Sequence, residues 1–485
     1  MPQPNILIFM TDHQRADTAL PQHPAITPRL TQLVNEGISF NNTYCPTPHC
    51  CPSRATFFTG LYPSMHGVWN NITNQQALSR GLNDGVRLWS EDLAEAGYDM
   101  HYAGKWHVSV TESPKDRGWT EHGVTSAAGT MHGWTWEQYR ELAQQPEQTE
   151  RKEGEILRPG YPPLRLYQST GEEGYDHDEG VIQSALEALD DIENTTDPWC
   201  LYVGLLGPHD PYDVPQRYLD MYDIDKIPLP VNFADNLEDK PRIYKRMRDT
   251  RFGQFSDDEM RQAIRHFWAF CSYIDDLFGQ VLDRIDEMGQ TDNTLIIFCS
   301  DHGDYCGEHG LFAKGIPCFN GAYHVPLVMR HPDLVQGQRR SVDEFVSLAD
   351  LAPTMLDVAG LSSDRHFAGA SLLPFMQGET PDKWRDAMFT QCNGVEIYYT
   401  QRSVKTKDYK YVFNGFDMDE LYDLKSDPHE MRNVAENPQY QEIKRDLCRK
   451  MWQFAYEQND EYVLNPYMTV ALAPYGPAEA FRDDD

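Results

Sequence analysis

Four apolar runs in this chain each end in residues that bind cations or move protons. "NILIFM" (5–10) delivers Thr11-Asp12-His13, and "TLIIFC" (294–299) delivers Ser300-Asp301-His302, nearly the same chemical pattern twice. The run at 97–104 leads into Lys105-Trp106-His107, and that at 198–206 into Gly207-Pro208-His209. Two Asp and several His brought together make a divalent-cation site, with Lys and His left over for an anion. A single Asp after a strand is usually a turn residue, and a lone His usually a satisfied core or surface group. Four strand ends carrying such residues together are much harder to explain that way.

A fifth stretch, "TPHCCPSRATFFTG" (47–60), sets two cysteines side by side. Pro52 suits the first turn of a helix, so the residues before it would sit at a helix N-terminus. Free N–H groups and the helix dipole favour developing negative charge there. The bland alternative is a pair of buried thiols packed as small hydrophobes. A zinc site from Cys45, His49, Cys50 and Cys51 lacks the two C-x-x-C pairs of a structural centre. A thiol nucleophile beside a base is also open. None of these accounts for Arg54 and Thr59-Gly60.

The elements that must position these groups read as α/β: short buried strands with helical patterns between them. In open parallel sheets, ligands bind at the carboxyl ends of the strands. The spacing predicts a long helix over 256–289, with Ser256 and Glu259 as a capping box and Gly289 past its end. A second helix is expected over 348–360, kinked or started near Pro353. From about 110 to 178 the pattern dissolves into Trp, Tyr, Gly and Pro among charges, the mark of long loops that shape a pocket. After about 395, "IYYTQRSVKTKDYKYVF" and "ELYDL" alternate like antiparallel strands, followed by a helix and an extended aromatic tail. The expected division is a catalytic domain over 1–394 and a smaller α+β subdomain over 395–485.

Composition limits the partners. The chain has 485 residues, 40% of them hydrophobic, enough for a large core. Its net charge of −33 argues against nucleic acid, anionic membrane surfaces and densely sulfated polymers, while local basic residues could still hold one anionic group. The N-terminal stretch lacks the basic and long apolar segments of a signal peptide, and ten scattered cysteines read as reduced thiols. The expectation is a cytoplasmic protein, or a periplasmic or secreted one if a signal has been removed.

The run Cys50-Cys51-Pro52-Ser53-Arg54-Ala55-Thr56-Phe57-Phe58-Thr59-Gly60 resembles the type I sulfatase motif C-x-P-S-R-x-x-x-x-T-G. Further segments resemble sulfatases in family order: "AGKWH" (103–107), "GPHDPY" (207–212), "SDHGDYCGEHGLFAKG" (300–315), "SLADLAPTMLDVAG" (347–360) and the stretch from 407 to 438. The resemblance implies the alkaline phosphatase-like fold, with a large mostly parallel sheet flanked by helices. It implies that the first cysteine of the motif is oxidised to Cα-formylglycine. Only Cys50 stands one residue before Pro52, so Cys50 is that residue and Cys51 the permissive position.

Carried over residue by residue, the resemblance makes Asp12, His13, Asp301 and His302 metal ligands together with modified Cys50. Hard oxygen donors imply Ca²⁺ first, with Mn²⁺ and Mg²⁺ as alternatives. Arg54 would steady the hydrated aldehyde, Lys105 and Lys314 the sulfuryl oxygens, and Asn71 the sulfate. His107 would trigger elimination and His209 would protonate the leaving alcohol. Two positions depart from the family: His13 stands where most sulfatases have Asp or Gln, and His302 where Asn is usual. Asp301-His302 is a variant associated with choline sulfatases and phosphonate monoester hydrolases. The implied activity is hydrolysis of a small organosulfate or sulfated saccharide. A phosphonate monoester or phosphodiester hydrolase is the alternative, and an inactive binding protein would need a lost site residue that is not lost. The implied partner in maturation is a formylglycine-generating enzyme, and the tail could support a homo-oligomer.

Overall fold

The computed structural model describes residues 3–480 apart from 127–134, 147, 336–339, 395–396 and 467–468. Eight strands form the main sheet: β1 (Asn5–Thr11), β2 (Ile38–Tyr44), β3 (Asp99–Lys105), β4 (Thr120–Ser126), β5 (Trp199–Gly204), β6 (Thr294–Ser300), β7 (Leu327–Arg330) and β8 (Arg340–Ser347). Their order is β8-β2-β7-β6-β1-β5-β3-β4. Every neighbouring pair is parallel except the two made by β7. The four strands expected from the apolar runs all lie in the middle of this sheet, where both faces are covered and continuous apolar sequence is required. Residues of β1, β5 and β6 are buried throughout.

The long helix is Asp257–Glu287, with Ser256 Oγ accepting from Glu259 N–H as the capping box predicts. It packs Phe278 onto Phe9 and Phe298, ring centroids 4.9 and 5.2 Å apart. Asp275 on this helix reaches the start of the helix Pro28–Glu36, accepting from the N–H groups of Arg29 and Leu30 at 2.8 and 2.7 Å. These are orphan donors of a helix N-terminus, supplied by a neighbour instead of a cap. Asp275→Ala leaves them unpaired in a buried site. The expected cost is roughly 2 kcal/mol of stability, read as a lower thermal midpoint with activity per folded molecule retained.

The stretch from 110 to 178 is more structured than its composition predicts. β4 adds an edge strand to the sheet, and Glu155–Arg158 pairs with Tyr161–Arg165 in a hairpin. Among their described side chains Ile156 is the one buried apolar residue, so the alternation that betrays a strand is missing. The predicted helix near Pro353 is a 3-10 turn, Leu348–Asp350, running into Leu351–Val358.

A four-stranded antiparallel sheet follows, Ala387–Cys392, Gln401–Thr406, Tyr409–Asn414 and Glu420–Asp423, covered by the helix Gln441–Glu457. Its first strand precedes residue 395, where the change in sequence character placed a boundary. The tail is not extended: Thr469–Leu472 and Pro477–Ala480 form short turns of helix. They fold back on the preceding helix, where Trp452 Nε1 donates to Tyr475 O at 2.8 Å. The acidic end, 481–485, lies outside the described residues. Among the described residues no helix is long and apolar enough to cross a membrane.

Candidate active site

Cys50 opens the helix Cys50–Thr59, and Gly60 closes it in the left-handed region at φ 72°. The Gly60 N–H bonds Thr56 O at 2.8 Å. An added Cβ there would stand 2.6 Å from Phe367 and 2.9 Å from Ala352, so both backbone and packing demand glycine. All ten helix residues are buried, which makes the helix a pedestal rather than an amphipathic surface element. Phe58 anchors it among Trp106 and Tyr202, with centroids 5.0 and 5.4 Å away.

The groups delivered by the strand ends meet at the start of this helix. Cys50 Sγ lies 3.6 Å from Asp12 Oδ1, 3.3 Å from His302 Nε2 and 3.2 Å from Lys314 Nζ. His107 stands near enough to Cys50 to help hold its pKa down. Lys105 Nζ donates to Asp12 Oδ2. Arg54 is fully buried one turn into the helix: Nε donates to Asp301 Oδ2 at 2.8 Å, and Nη1 to Lys105 O and Tyr202 Oη at 3.0 Å each. Ser53 Oγ donates to Asp301 O at 2.5 Å. The loop bearing His209 is pinned from below, because Asp178 accepts from the Leu206 and Gly207 N–H groups at 2.8 Å each.

Charge in the site is arranged around residue 50. Burial opposes ionisation of the Cys50 thiol, yet Lys105, Lys314 and His302 outweigh it and hold its pKa well below the usual thiol value. Burial and Cys50 push the Asp12 carboxyl up, but Lys105, His209 and Lys314 prevail and keep it below the usual carboxylate range. Burial and the neighbouring Asp12 raise Asp301, against the pull of Arg54. Burial, then Lys105, pulls His107 down to about 4. His209 goes the other way: burial and Lys314 lower it, but Asp210, Cys50 and Asp12 raise it overall.

Asp12, Cys50, Asp301 and His302 offer ligand atoms that all lie within 4.8 Å of one another, every one buried. His302 Nδ1 is 2.9 Å from Gly303 O, and its Nε2 faces Cys50 in the cluster. Two carboxylates and an imidazole fit a divalent cation, and a second buried carboxylate raised by the first is the group such an ion would compensate.

His13 stands differently. It adopts φ 69°, an uncommon conformation for a residue with a Cβ. Its Nδ1 faces Asp304 Oδ2 at 3.1 Å and its Nε2 meets Lys314 Nζ, so both ring nitrogens have partners outside the four-residue cluster. It shares a second grouping with Asp12 and His209. Lys314 Nζ also reaches His209 Nε2 at 3.1 Å, which makes it the hub of the outer site. Asn71 Oδ1 accepts from the Cys51 N–H at 3.2 Å, satisfying a free amide at the helix start.

Sequence reasoning missed Asp304, Asp210, Tyr202 and Asp178. Asp304 and Asp210 stand inside the quoted segments "SDHGDY" and "GPHDPY", and that proximity was the available signal. Nothing local marks Tyr202 or Asp178.

Outside residue 50 opens a cavity of about 510 Å³, walled by Asn71, His209 and Lys314 on the inner side. The Ile156–Pro159 part of the hairpin and the helix Arg242–Arg251 contribute its outer wall, with Tyr399 from the C-terminal portion.

The family model "Sulfatase" matches residues 4–361, and a model for the N-sulphoglucosamine sulphohydrolase C-terminal region matches 307–457. The chain is 29% identical to the choline-sulfatase of Rhizobium meliloti over 90% of its own length and 83% of that protein's. It is 28% identical to an arylsulfatase of Clostridium perfringens, covering 93% of each chain. The solved phosphonate monoester hydrolase of Agrobacterium radiobacter superimposes with a TM-score of 0.76 at 25% identity, covering 94% of this chain and 96% of that one. The sheet order, the strand-end cluster and these matches agree, and the chain belongs to the type I sulfatase family of the alkaline phosphatase superfamily.

Proposed function

We propose that this protein is a sulfuric ester hydrolase whose nucleophile is residue 50 in its formylglycine form, matured by a formylglycine-generating enzyme. The observation that carries the reading is the buried Cys50 position at a helix start, where Lys105, Lys314 and His302 all favour negative charge. The same field that favours a thiolate favours an alkoxide of the hydrated aldehyde. One of its hydroxyls attacks sulfur, the bond from sulfur to the alcohol oxygen breaks, and sulfate remains on residue 50. Lys105 and Lys314 meet the charge that gathers on the sulfuryl oxygens.

The two histidines divide the proton transfers. His209, raised in pKa, is suited to give a proton to the departing oxygen. His107, lowered to about 4, is neutral near pH 7 and suited to take one. It removes the proton of the second hydroxyl, the C–O bond to sulfate breaks, and the aldehyde is restored. Arg54 holds Asp301 and steadies the base of the site. A divalent ion held by Asp12, Asp301, His302 and residue 50 would add Lewis-acid charge beside the nucleophile. Ca²⁺ suits the carboxylates and Mn²⁺ the imidazole, and in this reading His13 serves the metal only at its edge.

The Asp301-His302 pair and the phosphonate hydrolase neighbour favour one second reading, a phosphonate monoester hydrolase. Protein co-expressed with a formylglycine-generating enzyme is expected to release sulfate from aryl and sugar sulfates faster than it cleaves a matched phenyl phosphonate ester. The reverse order would favour the second reading. Asp301→Asn is expected to lower metal content and turnover together. Full metal by elemental analysis in Asp12→Asn/Asp301→Asn would sink the ligand assignment.

A further inference from the structure

We propose that His49 is a further substrate-binding residue, held by Cys392 of the C-terminal sheet so that its Nε2 hydrogen-bonds a neutral hydroxyl of the leaving alcohol. The proposal rests on the sulfatase reading and gives it a substrate class, sulfated sugars and polyols ahead of simple aryl or alkyl sulfates. His49 is the N-cap of the helix that opens at Cys50, with extended backbone at φ −137° and ψ 139°. N-caps are usually Ser, Thr, Asp or Asn, whose side chains accept from the free N–H groups of the first turn. The His49 side chain makes no such bond, and Asn71 accepts from the Cys51 N–H instead. Capping therefore does not account for an imidazole at this position.

The ring is buried, with His49 2% exposed, and one of its nitrogens is served from within the protein. Nδ1 lies 3.6 Å from Cys392 Sγ, which in turn lies 3.0 Å from Tyr399 Oη. Among the described residues no hydrogen-bond partner meets Nε2, while His49 and Tyr399 both line the cavity outside residue 50. Buried polar groups are nearly always hydrogen-bonded, so an open nitrogen on a cavity wall is a place to receive a ligand. The support behind the ring is firm. Cys392 ends the strand Ala387–Cys392, and one residue earlier Gln391 N–H donates to Pro46 O at 2.8 Å. Gln391 Oε1 also accepts from the Ser64 N–H at 3.0 Å. The C-terminal sheet thus grips the chain both before and after the nucleophile helix, and it sets where the His49 ring stands.

The charge of the sulfate has other partners. Lys314 Nζ is 3.2 Å from Cys50 Sγ, and Lys105 stands behind on Asp12. A single ring nitrogen offers one hydrogen bond and no fork for an oxyanion. A hydroxyl both donates and accepts, so it suits that nitrogen in either tautomer. His49 is the residue before the nucleophile, so it meets the part of the alcohol nearest the ester. The cavity of about 510 Å³ has room for one sugar unit.

The test uses monosulfated pyranosides that each lack one hydroxyl, beside the parent sugar sulfate and 4-nitrophenyl sulfate. In the matured protein one deoxy sugar is expected to fall roughly tenfold in kcat/KM, one hydrogen bond's worth. His49→Phe keeps a ring and removes both nitrogens. It is expected to bring the parent down to that deoxy sugar, so that their ratio approaches one, whereas His49→Gln should keep part of the ratio. Cys392→Ala, which loosens the ring, should shrink the same ratio through KM. A deoxy series without any such loss, or an undiminished ratio in His49→Phe or Cys392→Ala, would overturn the proposal. So would equal losses in His49→Phe on parent, deoxy sugar and 4-nitrophenyl sulfate, the mark of a structural role. Calorimetric affinities in a Cys50→Ala background read the ratio without turnover. If sulfate release fails throughout but His49→Phe still cancels the affinity ratio, the sulfatase reading falls and the hydroxyl contact stands.

Discussion

Cys50→Ala is expected to abolish sulfate release, by about 10⁴-fold or more for loss of a covalent nucleophile, whereas Cys51→Ala should keep most of it. The two residues are neighbours in one helix but face different surroundings. Cys50 Sγ meets Lys314, His302 and Asp12, while burial and the adjacent Cys50 push the Cys51 thiol well up, as befits a core group. Removing the Cys51 sulfur leaves a small void worth about 1 kcal/mol. Cys50→Ser is the more informative variant. Its hydroxyl can attack once, but the resulting sulfate ester has no second hydroxyl on the same carbon, so it cannot collapse by elimination. One equivalent of product and a sulfated peptide, seen by mass, are the expected signature. Persistent turnover in Cys50→Ala, or an aldehyde found at position 51, would overturn the assignment.

His209 and His107 separate by leaving group. An alkyl or sugar alkoxide leaves poorly without a proton, so His209→Ala is expected to slow such sulfates by roughly 10²–10⁴-fold. A nitrophenolate leaves as a stable anion and should feel the change by about tenfold or less. In the proposed mechanism His107 works after the alcohol has gone. His107→Ala should therefore be slow on both kinds of substrate and accumulate sulfated enzyme. Equal losses for His209→Ala across leaving groups would reject its acid role. Absence of the adduct in His107→Ala would reject that base.

Both histidines stand at strand ends that the sequence already marks, and this explains what was legible. β1, β5 and β6 are central and buried throughout, so their interiors read as unbroken hydrophobe, and the first polar residues after them must fall at the sheet's edge. The capping box at Ser256 and Glu259 works through three residues of local chain and can be read without any fold. The edge strand β4 and the 155–165 hairpin are different. Their backbones pair, but among their described side chains Ile156 is the one buried apolar residue, so no hydrophobic period records them. Partnerships across the fold leave no trace in spacing. Asp178 beneath the His209 loop and Tyr202 against Arg54 are polar groups whose purpose appears only once the sheet has brought distant strands together. The first strand of the C-terminal sheet, Ala387–Cys392, is not legible in the sequence because "AMFTQC" is too brief to stand out from the turn before it.

The buried helix that opens at Cys50 also carries a timetable. Ser53 Oγ bonds Asp301 O across 248 residues of chain, and His302 closes the same side of the Cys50 sulfur. The pocket around residue 50 cannot shut until the β6 segment has been synthesised. At typical elongation rates that interval is roughly 10–50 s. During it the CxPSR stretch is still an accessible peptide, and afterwards Cys50 is 2% exposed. On the proposed function, oxidation of residue 50 is in a race with synthesis of the chain between Ser53 and β6. The fraction of active enzyme in a preparation should rise when translation is slowed and fall when the chain outpaces its modifying enzyme.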